Sequence, residues 1–128
     1  MIDAKELRIG NLVEYDGHEL SVFGLTESDV EIRLPGGYAP EWVMLYFCKP
    51  IPLTEEWLLR MGFQDCYSEF IGPVTISWGQ KIVSTGERQT FYLDGEIPDA
   101  WKIRIQSVHQ LQNIVFTLTG EELKIKEQ

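Results

Sequence analysis

Asp16-Gly17 constrains this chain more tightly than any other pair of residues in it. The dipeptide separates two short apolar-polar runs, Leu12–Tyr15 and His18–Phe23, and supplies the positive φ angles that a type I′ turn demands. A two-residue loop there sets an antiparallel register: Tyr15 opposite His18, Glu14 opposite Glu19, Val13 opposite Leu20. Val13, Tyr15, Leu20 and Val22 then share one face, because strand side chains alternate. Glu14 and Glu19 meet on the other face, a mild repulsion that solvent screens.

More strands follow. Val30, Ile32 and Leu34 alternate with Glu31 and Arg33 over residues 29–34, and Pro35-Gly36-Gly37 ends the run. Trp42 to Phe47 has no polar partner in its alternation, which predicts a strand buried on both faces. Four short strands joined by tight turns suggest a small curled sheet or an SH3-like barrel over residues 1–50. Pro50-Ile51-Pro52-Leu53 is a proline-stiffened connector. Thr54 can cap a short helix with Glu55 and Glu56 in its first turn, Trp57, Leu58 and Met61 on its apolar side and Gly62 at its end.

Residues 67–105 return to strands, expected at 69–78, 81–84, 90–93 and 101–105. Ser107-Val108-His109-Gln110 then has the form of a capping box, opening a helix that runs to Thr119 with Gly120 closing it. Its apolar stripe is Val108, Leu111, Ile114, Val115 and Leu118. A charged tail follows, with a short strand expected around Leu123-Lys124-Ile125. The fold class is therefore α+β: an N-terminal β-module over 1–50, then an antiparallel sheet with two helices over 51–128, the two packed together or forming one continuous domain.

Charge narrows the choice of partners. The 128 residues carry a net charge of −9, spread as −5 over residues 1–53 and −4 over 54–128. Such a surface repels phosphate backbones and anionic lipid, which disfavours nucleic acid and membrane as partners. The longest apolar run, Trp42 to Cys48, is too short to span a bilayer. Met1-Ile2-Asp3-Ala4-Lys5-Glu6 is charged and unlike a signal peptide, so a cytoplasmic protein is expected. Cys48 and Cys66, with seventeen residues between them and beside Phe47 and Tyr67, read as buried free thiols.

Three stretches carry a resemblance: Glu6-Leu7-Arg8-Ile9-Gly10-Asn11, Pro50-Ile51-Pro52-Leu53-Thr54-Glu55-Glu56-Trp57-Leu58-Leu59, and Val108-His109-Gln110-Leu111-Gln112-Asn113 running on to Leu118-Thr119-Gly120-Glu121-Glu122-Leu123. In this order and spacing the chain resembles a family of small uncharacterised proteins of Bacteroides-type bacteria, their prophages and mobile elements. The resemblance implies a bacterial cytoplasm and a phage-derived accessory role. It carries over no functional residue, because no activity is established for that family.

The side chains that bear chemistry are sparse. His18 and His109 are the only histidines, and no nucleophile elbow surrounds any Ser or Cys. Asp94, Glu96 and Asp99 crowd a Gly-containing loop, yet the calcium-loop pattern is missing and a solvated turn is the simpler reading. Two Cys and two His at these spacings make no zinc site, and no glycine loop for nucleotides is present, so neither metal nor cofactor is expected. The four tryptophans read first as core anchors. The candidate binding residues are His109, Gln112, Asn113 and Phe116, which fall on one stripe of the last helix opposite its apolar stripe. Amides and an imidazole beside an aromatic ring can recognise a protein partner, although an ordinary solvated helix face has the same composition. The expected function is a non-enzymatic protein-interaction module of phage or mobile-element origin. The alternatives are an acidic, nucleic-acid-mimicking inhibitor of a host enzyme and a small enzyme using His109 with a carboxylate. Oligomeric state is not legible in the sequence.

Overall fold

The structure is a computed structural model of the chain and describes residues 2–37, 39–66, 69–71, 81–85, 90–94 and 103–125. It is α+β, with antiparallel sheets and two α-helices, and its chain divides into two compact units. The first takes in Met1–Pro52 and Ser107–Asn113, the second Leu53–Gln106 and Ile114–Gln128. The expected boundary near residue 50 is thus close, but the first unit also recruits the N-terminal half of the last helix. No helix among the described residues is long and apolar enough to cross a membrane.

The first unit opens with a one-turn 3-10 helix, Ala4–Glu6, whose N-cap Asp3 accepts the Lys5 N–H. Strands β1 (Leu12–Tyr15) and β2 (His18–Ser21) form the hairpin in the predicted register. Asp16 and Gly17 take φ of 50° and 78°, the left-handed pair that only this kind of dipeptide adopts cheaply. A separate sheet holds β3 (Gly24–Leu25), β4 (Asp29–Ile32) and β5 (Glu41–Met44) in sequential antiparallel order. The core draws one face from each piece: Ile2, Leu7, Val13, Val22, Val30, Ile32, Leu45 and Cys48 are buried together, with Tyr15, Leu20 and Val43 packed against them. Five strands in two sheets surround this core without closing into one barrel among the described residues.

The run from Trp42 to Phe47 departs from expectation. It is a four-residue edge strand that turns into a 3-10 helix, Leu45–Phe47, and only Leu45 is buried. Trp42, Met44, Tyr46 and Phe47 are 53%, 55%, 67% and 56% exposed. The physical reason is that β5 has one packed face: Val43 stands beside Val30 over the core, and its neighbours Trp42 and Met44 point the other way.

In the second unit, α1 (Glu55–Arg60) begins where Thr54 Oγ1 accepts the Trp57 N–H at 3.3 Å. Gly62, at φ 89°, ends it. Trp57, Leu58 and Met61 are buried, and the Arg60 guanidinium lies 4.1 Å from the Trp57 ring centroid. A five-stranded antiparallel meander follows: β6 (Gln64–Cys66), β7 (Glu69–Ile71), β8 (Lys81–Thr85), β9 (Thr90–Asp94) and β10 (Ile103–Ile105). Strand β6 was not expected from the sequence; its three residues carry no apolar alternation. The breaks expected at Gly79-Gln80, Gly86-Glu87 and Gly95, and the Asp94-Glu96-Asp99 loop beyond Asp94 itself, lie outside the described residues, as do Trp78 and Trp101.

The last helix, α2 (Val108–Thr119), matches its predicted limits. Ser107 Oγ accepts the Gln110 N–H at 3.3 Å, and Gly120 at φ 74° terminates it. Val108, Leu111 and Val115 of its apolar stripe are buried and Ile114 is half-buried. The strand expected around Leu123-Lys124-Ile125 does not form, though Leu123 is buried. A three-residue segment needs a neighbouring strand to hydrogen-bond, and none pairs with it among the described residues.

Candidate functional site

Two places in the first unit gather side chains that could act on something else. One is the polar stripe of α2. His109 and Gln112 are 4% and 3% exposed, so this stripe is not the open face that helical periodicity suggests. It is occupied by the segment from Glu6 to Leu12. Gln112 Oε1 accepts the Leu12 N–H at 2.9 Å, and its Nε2 donates to the Gly10 carbonyl at 3.4 Å. Asn113 Oδ1 accepts from Asn11 Nδ2 at 2.8 Å and from Arg8 Nε at 2.9 Å, while its own Nδ2 donates to the Glu6 carbonyl at 2.7 Å. Asn11, fully buried, closes the circuit by accepting the Arg8 N–H at 2.7 Å. The structure therefore brings His109, Gln112 and Asn113 together and commits both amides to backbone groups that would otherwise be orphaned. Phe116 is assigned to the second unit and is 38% exposed.

His109 Nε2 lies 3.5 Å from Glu6 Oε2, and its Nδ1 is buried with no hydrogen-bond partner. Burial pushes the imidazole pKa down, and the Glu6 carboxylate only partly opposes this. A histidine and a carboxylate are thus adjacent, as the enzyme alternative requires. The imidazole side chain is only 5% exposed, so it presents little surface to a substrate, while the Glu6 side chain is 55% exposed. The Cys48 thiol is 1% exposed and burial raises its pKa, which keeps it from being a nucleophile. No group of three His, Cys, Asp or Glu side chains suited to a metal ion occurs among the described residues. His18 is exposed on β2, at the mouth of the hairpin turn. A half-open depression of about 600 Å³ lies beside the turn, lined by Glu14, Tyr15, Asp16, Gly17, Phe47 and Lys49.

The second place is the outer face and edge of the β3-β4-β5 sheet. Here Trp42 and Met44 lie exposed beside Glu31 and Asp29, their cross-strand partners. A side-chain carbon added to Gly24 would meet Trp42 Cη2 at 3.0 Å and Glu31 Oε1 at 3.1 Å, so the indole reaches across the sheet onto the bare glycine. Tyr46 and Phe47 follow in the 3-10 turn, their rings edge-to-face with centroids 5.4 Å apart. Sequence reasoning missed this face because it read the continuous apolar run as core. The available signal was Gly24, the first residue of β3, where the missing side chain leaves room for another group to approach the backbone closely.

Compared with models of protein families, with curated proteins and with solved structures, the chain matches none of them.

Proposed function

We propose that this chain is a non-enzymatic protein-interaction module, acting in a bacterial cytoplasm and of phage or mobile-element origin, that docks through the apolar surface on β5 and the turn after it. The observation that carries this reading is the exposure of four large apolar side chains within six residues: Trp42, Met44, Tyr46 and Phe47 are each more than half exposed. Single exposed apolar residues are ordinary on any protein; a run of four, three of them aromatic, is the composition of an interface centre. An SH3-like layout belongs to the same reading: five short strands around one small core that present aromatic side chains to an extended partner. Catalysis has less support, since the His109 imidazole is buried although its Glu6 neighbour is exposed. Imitation of nucleic acid would need a phosphate-like row of carboxylates, and the twenty acids of this chain are mixed with eleven Lys and Arg.

Affinity purification of the tagged chain from its host, with nuclease present, tests the reading against a Met44→Ser/Tyr46→Ser/Phe47→Ser variant. A stoichiometric protein recovered with the wild type and lost with the variant is the expected result. Recovery of the chain alone, or equal recovery by both forms, would end the proposal.

A further inference from the structure

We infer that the free edge of β5 accepts an extended, basic segment of a protein partner as a fourth strand, with an arginine or lysine of that segment seated on the Trp42–Glu31 surface. The inference deepens the interaction-module reading and rests on it.

The backbone makes the first part of the case. Leu45 donates its N–H to the Ser28 carbonyl at 2.9 Å, which fixes the phase of the β4–β5 ladder. Hydrogen-bonded and non-bonded pairs alternate along an antiparallel ladder, so Val30–Val43 and Ile32–Glu41 are bonded pairs. Glu31–Trp42 and Asp29–Met44 are then non-bonded pairs. The Phe23 N–H donates to the Glu31 carbonyl at 2.8 Å, which confirms that Glu31 turns its backbone toward β3 rather than β5. Trp42 and Met44 therefore aim their N–H and C=O groups away from the sheet. Among the described residues β5 pairs with β4 alone. Proteins commonly blunt an edge strand with lysine, proline or a bulge. Within β5 none of these occurs, and the two residues whose backbone is open also display its largest apolar side chains.

Charge selects the occupant. From Phe23 to Phe47 the chain carries four carboxylates, Glu27, Asp29, Glu31 and Glu41, against one cation, Arg33. The Trp42 indole and the Glu31 carboxylate converge above Gly24, each about 3 Å from the same point. An aromatic face beside a carboxylate favours a guanidinium or ammonium, which stacks on the ring while the acid balances its charge. A second copy of this chain is the wrong occupant: the first unit holds nine carboxylates against four Lys and Arg, and pairing two such edges sets like charge against like. Nucleic acid and anionic lipid meet the same repulsion. An extended segment alternating basic and apolar residues satisfies the backbone, the indole and the carboxylates together.

The test uses the isotope-labelled full chain and three synthetic twelve-residue peptides: alternating Arg and Val, alternating Glu and Val, and the Arg–Val peptide with every second backbone nitrogen methylated. The Arg–Val peptide is expected to bind and to slow hydrogen exchange at the Trp42 and Met44 amides at least about tenfold, as edge hydrogen bonds form. The Glu–Val and methylated peptides should bind about tenfold more weakly or worse, and Trp42→Ala, Glu31→Gln and Gly24→Ala should each weaken the Arg–Val peptide about tenfold. Gly24→Ala is the informative variant, because it displaces the indole while Trp42 itself stays in place. Equal binding of the Arg and Glu peptides, unchanged exchange at Trp42 and Met44, or self-association of the free chain through this edge would each overturn the inference. If the peptides fail while capture from the host still depends on Met44, Tyr46 and Phe47, the edge-strand mode falls and the interaction module stands.

Discussion

Asn11 shows how one side chain can settle where a terminal segment lies. It is fully buried, accepts the Arg8 N–H and donates a hydrogen bond from Nδ2 to Asn113 Oδ1. Removing it leaves the Arg8 N–H without its acceptor and takes from Asn113 Oδ1 one of its two donors, the Arg8 Nε bond remaining; an orphaned, part-buried group of this kind costs about 1–3 kcal/mol. Asn11→Ala is expected to destabilise the chain by about 2–3 kcal/mol in urea unfolding. Asn113→Ala should cost a similar amount, and the double variant should cost less than the two losses added, by about 1 kcal/mol, because both remove the same bond. Simple additivity would mean that the two amides act separately. His109 supplies a second test at this scale. Its folded pKa lies below its ordinary value because of burial, so the unfolded chain binds the proton more readily. The stability it supports is present above the ordinary histidine pKa of about 6.5 and is lost as pH falls toward the folded value. Urea midpoints should therefore fall between pH 7.5 and 5.5, and His109→Gln should flatten that slope; an unchanged slope in the variant would assign the effect elsewhere.

The elements were legible in the sequence wherever a local rule names both ends. Asp16-Gly17 specified the hairpin and its register, Thr54 and Ser107 marked the starts of α1 and α2, and Gly62 and Gly120 marked their ends. Both caps are made at 3.3 Å, at the long end for a hydrogen bond, so Thr54→Ala and Ser107→Ala should each lower stability by only about 0.5–1 kcal/mol. A loss well above that in thermal unfolding would mean the hydroxyls do more than cap. What could not be read was which side of an element would be covered. Periodicity placed His109 and Gln112 opposite the apolar stripe of α2 and hence in solvent; the Glu6–Leu12 segment covers them instead, and nothing in the helix itself encodes that neighbour. The Trp42–Phe47 run failed in the opposite sense. Lack of alternation predicts burial on two faces, whereas β5 is a sheet edge with one packed face and leaves Trp42 and Met44 outward. The same limit explains the site: His109, Gln112 and Asn113 lie against the Glu6–Leu12 segment, and the exposed face that stands out, Trp42 to Phe47, reads as core from its sequence.

At the scale of the whole molecule, one physical quantity acts on folding and on recognition with opposite sign. Twenty carboxylates stand against eleven Lys and Arg, an excess shared by both halves of the chain. In the folded state these charges are held closer together than in the unfolded chain, so their repulsion opposes folding and salt relieves it. The melting temperature is therefore expected to rise by a few degrees between about 20 mM and 300 mM NaCl, over which the Debye length falls from roughly 20 Å to roughly 6 Å. Docking of a basic segment draws on the same carboxylates as attraction. Salt screens that attraction too, so affinity for the Arg–Val peptide should fall over the same range while the fold becomes more stable. The two readouts in one titration separate the explanations. A peptide that binds by apolar burial alone would hold or gain affinity as salt increases, and one that binds because the fold is tightened would follow the melting temperature upward. Only charge complementarity at the sheet edge makes the two curves diverge, and Glu31→Gln should reduce the salt dependence of binding while leaving that of melting nearly unchanged.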